Sequence, residues 1–419
     1  MRMRPRYVQS WLIAFMSMVL VSSVSLPAGA VELHGFVEPS YGVRYSKDGP
    51  IEDRNALLET RAILEGQWYG KRGESLNLRV LANQAHNRDG DVDVREGSIF
   101  VPLSPSWELT AGRQIMSWAP AQYEFINDRF AKDYKSFFIG RDLEFLKAPN
   151  DAVKLSRFGD IVNANLVLVP QFDPDRTPTG LDVPVYHPGQ RQLVDTDSAP
   201  TGMRPADSPD EGEVHLRLYK TMGRWEVAAY GYRGFTGTPV GWMNNRTFHP
   251  EMSSGGFSAR GPLKGAIVWL EGGYDHIRHD LSGDTTGVPP DRGHLLVGGR
   301  YRTGPRVNYM LQATWARQFD GDVYRDLLST DHPDSDRDRF RFQAATTRTY
   351  WEDRLEVELR GFLGTTEEDW HVRATTAYEW SDAVNITLGT YHYGAAHSAS
   401  RFGAMDDHDL FLTRLRYSF

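Results

Sequence analysis

The chain has 419 residues, no cysteine and a formal net charge of −8. Without cysteine it can form neither a disulfide bond nor a thiolate metal site. After residue 30 no apolar run approaches the roughly 18 residues that a transmembrane helix needs. These features exclude a disulfide framework and a helical membrane protein, and no nucleic-acid partner is predicted.

Residues 1–30 have the pattern of a cleaved secretory signal peptide. Three arginines at positions 2, 4 and 6 precede an apolar stretch from Trp11 to Val24, and Ala28-Gly29-Ala30 forms a small-residue cleavage site. That site disfavours the other interpretation, a membrane anchor that stays in place. Cleavage leaves residues 31–419, and no shift in composition divides them, so a single domain is predicted.

Alternation of apolar and polar residues is the main pattern from Leu33 to the C-terminus. One example sets Val307, Tyr309, Leu311, Ala313 and Trp315 against Asn308, Gln312 and Thr314. A period of two predicts strands with unlike faces. About eighteen such segments of roughly 9 to 15 residues occur, with sixteen as the alternative count, and this length suits tilted strands crossing a bilayer.

The connections between these segments alternate in length. Short ones are predicted at 158–160, 221–224, 261–264, 303–306, 350–353 and 381–382, and long ones at 47–55, 117–150, 171–211, 237–247, 279–291, 319–336 and 395–406. A soluble sandwich shows the same alternation within a strand, so the connections decide between the two folds. They predict an all-β, transmembrane, antiparallel up-and-down barrel with short periplasmic turns and long extracellular loops.

Tryptophan gives a second indication of a membrane barrel. Five tryptophans fall at short-turn ends of strands, and three at long-loop ends: Trp68, Trp107, Trp225, Trp351 and Trp380, then Trp118, Trp315 and Trp370. Amphipathic rings prefer the headgroup level of a membrane, so two belts are expected of a membrane barrel. The alternative is that they are core tryptophans near turns.

The chain ends on the alternating strand LFLTRLRYSF. Phe411, Leu415, Tyr417 and Phe419 share one side, which is predicted to face lipid, and Arg414 and Arg416 the other. This ending resembles the C-terminal signature of bacterial outer-membrane barrels, and Tyr417 and Phe419 carry it. The resemblance implies insertion by the outer-membrane barrel-assembly machinery and a location in the lipid of the outer membrane.

The segment Gly112-Arg113-Gln114 closes the fifth predicted strand. Here the chain resembles the Gram-negative porin superfamily of 16–18-stranded barrels, in which a strand often ending in Gly-Arg-Gln precedes a loop that folds inward and narrows the lumen. The resemblance implies a constriction loop at 117–150, passive diffusion of small solutes and a homotrimer. Strict alternation places Arg113 on the lipid side, so a bulge or bend at Gly112 has to turn it inward if the analogy holds.

The 117–150 segment is rich in aromatic residues, which suits a loop packed inside a barrel. Phe130, Tyr134 and Phe137 stand at helical spacing and predict a short helix on the inner wall. The candidate constriction residues are Trp118, Tyr123, Phe125, Asp128, Arg129, Lys132, Tyr134 and Lys135. Whether their charges contact a solute or pair with each other and with the wall stays open.

Alternation also assigns the charges that face the lumen. The predicted set of lumen arginines is Arg61, Arg79, Arg113, Arg339, Arg341, Arg360, Arg373, Arg414 and Arg416. One hypothesis makes them a ladder for the carboxylate or phosphate of small anionic solutes. The other is mutual pairing of arginine with glutamate, which only keeps the lumen wet.

Two other functions are weighed against a channel. A barrel scaffold could sheathe a partner, such as an electron-transfer cytochrome or an export complex, and a surface hydrolase could use His371 beside Asp369, although nothing in the sequence orients that pair. No cofactor is predicted. Asp89, Asp91 and Asp93 carry oxygen ligands that suit Ca²⁺, but their spacing does not fit the twelve-residue calcium loop.

Overall fold

The computed structural model describes residues 31–419 except 46–49, 52, 88, 207, 279–286, 329–331 and 407. The predicted signal peptide lies outside these residues. Within the described ranges, eighteen strands form one closed sheet in which neighbours in sequence pair antiparallel, and the first strand also pairs with the last. The up-and-down barrel of eighteen strands is therefore confirmed, and the alternative count of sixteen is wrong.

The strands in chain order are β1 (Val31–Arg44), β2 (Asn55–Tyr69), β3 (Ser75–Ala85), β4 (Asp91–Ser104), β5 (Trp107–Gln114), β6 (Asn150–Arg157), β7 (Asn163–Val169), β8 (Glu213–Met222), β9 (Trp225–Phe235), β10 (Glu251–Leu263), β11 (Ala266–Ile277), β12 (Arg292–Thr303), β13 (Val307–Gln318), β14 (Asp338–Tyr350), β15 (Leu355–Gly364), β16 (Asp369–Ser381), β17 (Val384–Ala395) and β18 (Leu410–Ser418). Two short helices, α1 (Tyr134–Phe138) and α2 (Asp322–Leu327), lie in loops. No helix in the described part of the chain is long and apolar enough to cross a membrane.

The two ends of the barrel differ. Short turns such as 223–224, 264–265 and 382–383 join strands at the end where β1 begins and β18 finishes, while long segments such as 115–149, 170–212 and 396–409 join them at the other end. This is the arrangement predicted from the connection lengths.

The two faces of the sheet also differ as the alternation predicts. Leu311 and Val297 on the outer face are 67% and 56% exposed, whereas the inward Gln312 and Gln343 are 3% and 4% exposed. An apolar exterior around a polar, filled interior is the reverse of a soluble barrel and matches a lipid environment.

The tryptophans divide between the outer wall and the interior. Trp68, Trp107, Trp351 and Trp380 are 38–66% exposed near the short turns, as expected for a belt at the headgroup level. The assignment of Trp118 to the opposite belt is wrong. Trp118 is only 9% exposed and packs edge-on against Phe130, at 4.9 Å between ring centroids, because the loop that carries it folds into the lumen.

A proline interrupts the ladder where the barrel closes. Gly35 and Phe419 exchange backbone hydrogen bonds of 3.1 and 3.0 Å, so every second residue of β1 directs its N–H to β18. Pro39 is one of these residues and has no N–H to donate. The pairing of β1 with β18 accordingly skips from Val37 to Ser40.

Replacing Pro39 by valine is expected to stabilise the barrel. The new N–H can donate to the carbonyl of Leu415, and one such bond contributes about 1 kcal/mol. The measurement is the midpoint of urea unfolding for the refolded protein in lipid vesicles. An unchanged or lower midpoint for Pro39→Val contradicts this account of the seam.

Candidate functional site

The 115–149 loop crosses the interior of the barrel and contacts the wall on several sides. Phe145 packs with Phe36, Ile63 and Leu81 of β1–β3. Trp118 and Phe130 pack with Ala152, Val167 and Val169 of β6 and β7. Ile126 packs with Trp269, Leu296, Met310 and Ala345 of β11–β14. Burial of these side chains fixes the loop inside the lumen, as the aromatic content predicts.

A fourth and larger group of packing contacts surrounds the short helix α1. Asp133 caps the helix by accepting a hydrogen bond of 2.8 Å from the Ser136 N–H. Phe137 then reaches Tyr123, Phe362 and Phe402 at centroid distances of 5.8, 5.9 and 6.4 Å. The predicted helix is thus present but is only five residues long, and Phe130 precedes it.

A chain of ion pairs ties the loop to β1, β2 and β18. Arg141 donates to both oxygens of Glu59 at 2.9 and 2.5 Å. Asp142 accepts from Arg414 and, at 2.7 Å, from Arg416, which also bonds Glu38 at 2.7 Å. Burial opposes ionisation of Asp142, but the arginines outweigh it and hold the pKa of Asp142 below its usual value.

A second group of contacts joins the loop to β14–β16 and to the 396–409 segment. The Tyr123 hydroxyl accepts a 2.6 Å hydrogen bond from Arg373, and Arg360 lies 5.0 Å from the Tyr123 ring centroid. Glu124 pairs with Arg401 and lies 3.6 Å from Arg341. Although burial acts in the opposite direction, Arg401 and Arg341 lower the pKa of Glu124.

The remaining candidate loop residues are also engaged. Asp128 pairs with Lys132 at 3.0 Å, and the Lys132 ammonium lies 4.6 Å from the Phe125 ring centroid. Arg129 pairs with Asp275 of β11, and Lys135 with Asp182 at 3.1 Å. Burial raises the pKa of Tyr134 above its ordinary value. These charges pair with each other, with the wall and with a neighbouring loop.

The lumen arginines are neutralised in the same way. Arg61 bonds Glu38 and Glu59, Arg79 bonds Glu65 and Glu144, Arg339 bonds Asp334, Arg341 bonds Glu367, and both Arg360 and Arg373 bond Glu358. At the level of the loop the structure therefore favours mutual pairing over a ladder of free arginines. A small cleft remains there between the loop and β13–β15, lined in part by Glu124, Gln312, Arg341, Phe362 and Arg401.

Arg113 does not belong with the lumen arginines. Gly112 has a φ of +115°, but the register from β5 to β6 continues without a shift, so Arg113 stands opposite Asp151 as Ala111 stands opposite Val153. Val153 is 39% exposed on the outer face. Arg113 lies on that face at the long-loop rim and bonds Asp151 at 2.8 Å, because no bulge reverses the alternation.

Three arginines that the sequence reasoning missed stand apart from this pairing. Arg300 and Arg302 lie on the same side of β12 as Leu296, which is wholly buried under the loop, and therefore face the lumen toward its short-turn end. Arg260 of β10 faces the same space. No carboxylate in the described part of the chain lies within 4 Å of these three guanidinium groups. Arg302 does donate to the Pro305 carbonyl, and Arg260 stands opposite Glu226. Their alternation in the sequence would have found all three, but only the structure shows that they form no ion pair with a described carboxylate.

The 170–212 loop covers the constriction loop from the long-loop end. Lys132 donates its backbone N–H to Asp175 at 2.7 Å, and Arg176 donates to Asp93 at 2.6 Å. Burial raises the pKa of Asp175 to about 6, against the opposing effect of Lys132.

The raised pKa predicts how the contact between the two loops responds to pH. An acid whose pKa rises on folding stabilises the folded state fully below its unfolded pKa, about 3.9, and loses that contribution as pH rises through about 6. The wild-type protein should therefore lose stability relative to Asp175→Asn between about pH 4 and pH 6, and no further above that range. Thermal unfolding at each pH measures this, and parallel curves for the two proteins would contradict it. Asp128, Arg129, Lys132 and Glu213 face this carboxyl and are unchanged in the variant.

Among the described residues, the structure shows neither a catalytic arrangement at the hydrolase candidate nor a metal-binding arrangement at the calcium candidate. His371 is stacked on Tyr393 with centroids 4.2 Å apart, and the Asp369 carboxylate accepts the Phe402 N–H at 2.9 Å. Asp93 bonds Arg176, and no group of three or more His, Asp or Glu side chains suited to a metal occurs among the described residues. Calcium at Asp89, Asp91 and Asp93 stays an untested prediction.

Comparison by sequence finds no relative: no protein-family model matches the chain, and no curated protein matches it. Comparison by structure finds several. Acinetobacter baumannii OccAB3 is similar over 93% of this chain and 99% of its own, with 11% identity and a TM-score of 0.56. Pseudomonas aeruginosa OccK2 (OpdF), in complex with glucuronate, is similar over 93% and 97%, with 12% identity and a TM-score of 0.54.

Pseudomonas aeruginosa OpdK with vanillate gives a third likeness, over 93% of this chain and 98% of that one, with 10% identity and a TM-score of 0.54. At such low identity the likeness establishes the fold. The chain has the closed, eighteen-stranded barrel fold of outer-membrane porins.

Proposed function

We propose that this protein is a channel in the bacterial outer membrane that lets small polar solutes, preferentially anions, diffuse passively. The barrel spans the membrane with its short turns toward the periplasm. The inward loop reduces the lumen to narrow passages, so that only small solutes fit.

The observation that carries the anion preference is a group of three lumen arginines without an ion pair, at an end of the lumen where Glu356 and Glu379 also form none among the described residues. Around the loop nearly every arginine meets a carboxylate, so that region is close to neutral. Toward the short-turn end, Arg300 and Arg302 form no ion pair with a described carboxylate, and Arg260 forms none although Glu226 stands opposite it. Cations fixed in a low-dielectric wall raise the local concentration of anions.

The bound molecules of two similar channels agree with this solute class. One of those channels was crystallised with glucuronate and another with vanillate, and both molecules are small carboxylates. A carboxylate is also the ion that arginine binds with two parallel hydrogen bonds. We therefore extend the proposal to small organic carboxylates.

Swelling of liposomes tests this proposal with three solutes of nearly equal size. Glucuronate, glucose and glucosamine differ mainly in charge, so size exclusion by the loop affects them alike. We expect glucuronate to enter fastest and glucosamine slowest. Equal rates, or faster entry of glucosamine, would contradict the anion preference while leaving the channel itself intact.

A second candidate function is the closed scaffold that encloses or supports a partner. The observation that favours it is the contact of the 115–149 loop with the wall on several sides, beneath the 170–212 segment. Folded protein that admits none of the three solutes would support the scaffold.

Assembly as a homotrimer, and insertion through the signature at Tyr417 and Phe419, stay predictions. Chemical cross-linking in vesicles tests the assembly as a homotrimer.

A further inference from the structure

A group of arginines and aromatic rings occupies the outer face of the barrel at its short-turn end. We call it the basic-aromatic patch: Arg348 and Tyr350 of β14, Trp351 and Arg354 of the following turn, and Tyr378 and Trp380 of β16. Gln343 of β14 faces the lumen and is 4% exposed, so alternation directs Arg348 and Tyr350 outward. Trp351 and Trp380 are each 66% exposed.

The patch is organised around its two arginines. Arg354 donates to the carbonyls of Glu379 at 3.1 and 3.0 Å and of Trp380 at 2.8 Å. Its guanidinium also lies 5.6 Å from the Tyr378 ring centroid. Arg348 lies 4.8 Å from the ring of Tyr350. These contacts place both guanidinium groups beside aromatic rings on the outer face.

The rings themselves form one group. Tyr378 meets Trp351 and Trp380 edge to face, at centroid distances of 5.9 and 6.3 Å. Trp and Tyr side chains in this position favour the interface between lipid tails and headgroups. The arginines beside them are therefore at the depth of lipid phosphates in the periplasmic leaflet.

Neither arginine of the patch is neutralised by an ion pair. No described carboxylate lies within 4 Å of the Arg348 or Arg354 guanidinium, in contrast to the arginines around the inward loop. Asp353 of the same turn accepts the Thr349 hydroxyl at 2.5 Å. Two guanidinium groups that form no ion pair with a described carboxylate, and that lie beside an apolar wall, favour binding of an anion that also has an apolar part.

We propose that the basic-aromatic patch binds an anionic phospholipid of the periplasmic leaflet, with its phosphate at Arg348 and Arg354 and its acyl chains along the apolar face of β14–β16. Arginine forms short, charge-assisted hydrogen bonds with phosphate oxygens. Basic residues at a membrane surface are attracted to anionic lipid. The aromatic rings set the depth of the headgroup and pack on its glycerol.

Native mass spectrometry of the protein in non-ionic detergent, titrated with phosphatidylglycerol, tests the proposal. Arg348→Gln is the primary variant, because the Arg348 side chain forms no hydrogen bond with the described residues and the strand pairing of its backbone is kept in the variant. Loss of one basic residue should weaken retention of the lipid about fivefold. Arg354→Gln should weaken lipid retention similarly, but it also removes the hydrogen bonds to the carbonyls of Glu379 and Trp380. If Arg354→Gln does not fold, the result for Arg348→Gln decides alone.

Arg72→Gln is the matched control, since Arg72 is exposed in the short turn at 70–74 and contacts no aromatic ring of the described chain. Its retention of phosphatidylglycerol should equal that of the wild type. Equal retention by Arg348→Gln, Arg72→Gln and the wild type would overturn the proposal. Displacement of the bound lipid by millimolar inorganic phosphate would also overturn it, because a simple anion site would then account for the binding.

Discussion

Replacing Arg300 and Arg302 together with glutamine is expected to lower the ratio of chloride to potassium permeability. Both side chains face the lumen on the side of β12 that carries Leu296, and neither meets a carboxylate of the described residues. A charge near a passing ion in water contributes about 1 kcal/mol at close range, or about fivefold in local concentration. The reversal potential under a salt gradient measures the change.

Arg157→Gln is the control for this pair. Arg157 lies near the same end of the barrel, but it faces outward and lies 5.8 Å from the Trp107 ring centroid. It should leave the reversal potential unchanged. If Arg157→Gln shifts the potential as much as the double variant, surface charge and not the lumen sets the selectivity.

Replacing Phe137 by alanine is expected to loosen the inward loop. Phe137 is 7% exposed and packs among Tyr123, Phe362 and Phe402. Removing a buried phenylalanine side chain costs about 3–5 kcal/mol, and here the cost falls on docking of the loop because the strand ladder does not involve this residue. Single-channel conductance should rise, and proteases should cut within 115–149.

Phe158→Ala provides the comparison, because Phe158 is 39% exposed in a short turn. Its conductance and proteolysis pattern should match those of the wild type. Loss of the folded barrel in Phe137→Ala, seen as loss of β-sheet circular dichroism, would show that the loop supports the wall as well as filling it.

The fold was predictable because period-two alternation and connection length are local properties of the chain. The ending Phe411 to Phe419 shows this: its apolar side is exposed on the wall, while Arg414 and Arg416 bond Asp142 inside. Alternation likewise places Arg113 correctly on the outer face, and the porin analogy, which required a bend at Gly112, misplaces it.

The site was less predictable because ion pairs between lumen arginines and carboxylates of distant loops depend on the folded structure and not on local sequence. Arg339 and Arg341 are predicted lumen residues, but only the structure shows Asp334 and Glu367 arriving from two different loops to neutralise them. The assignment of Trp118 to an aromatic belt is wrong for the same reason. Its position near a strand end in the sequence does not reveal that its loop turns inward. The alternation argument could have placed Arg300 and Arg302 in the lumen. Only the structure shows that neither meets a carboxylate of the described residues.

The central claim is that the filled barrel still conducts and prefers anions. Current through the refolded mature protein in a planar bilayer, followed by its reversal potential under a salt gradient, tests this claim most directly. We predict discrete current steps and a reversal potential of the sign that marks anion preference. Folded protein that carries no current, or a reversal potential that marks cation preference, would contradict the account.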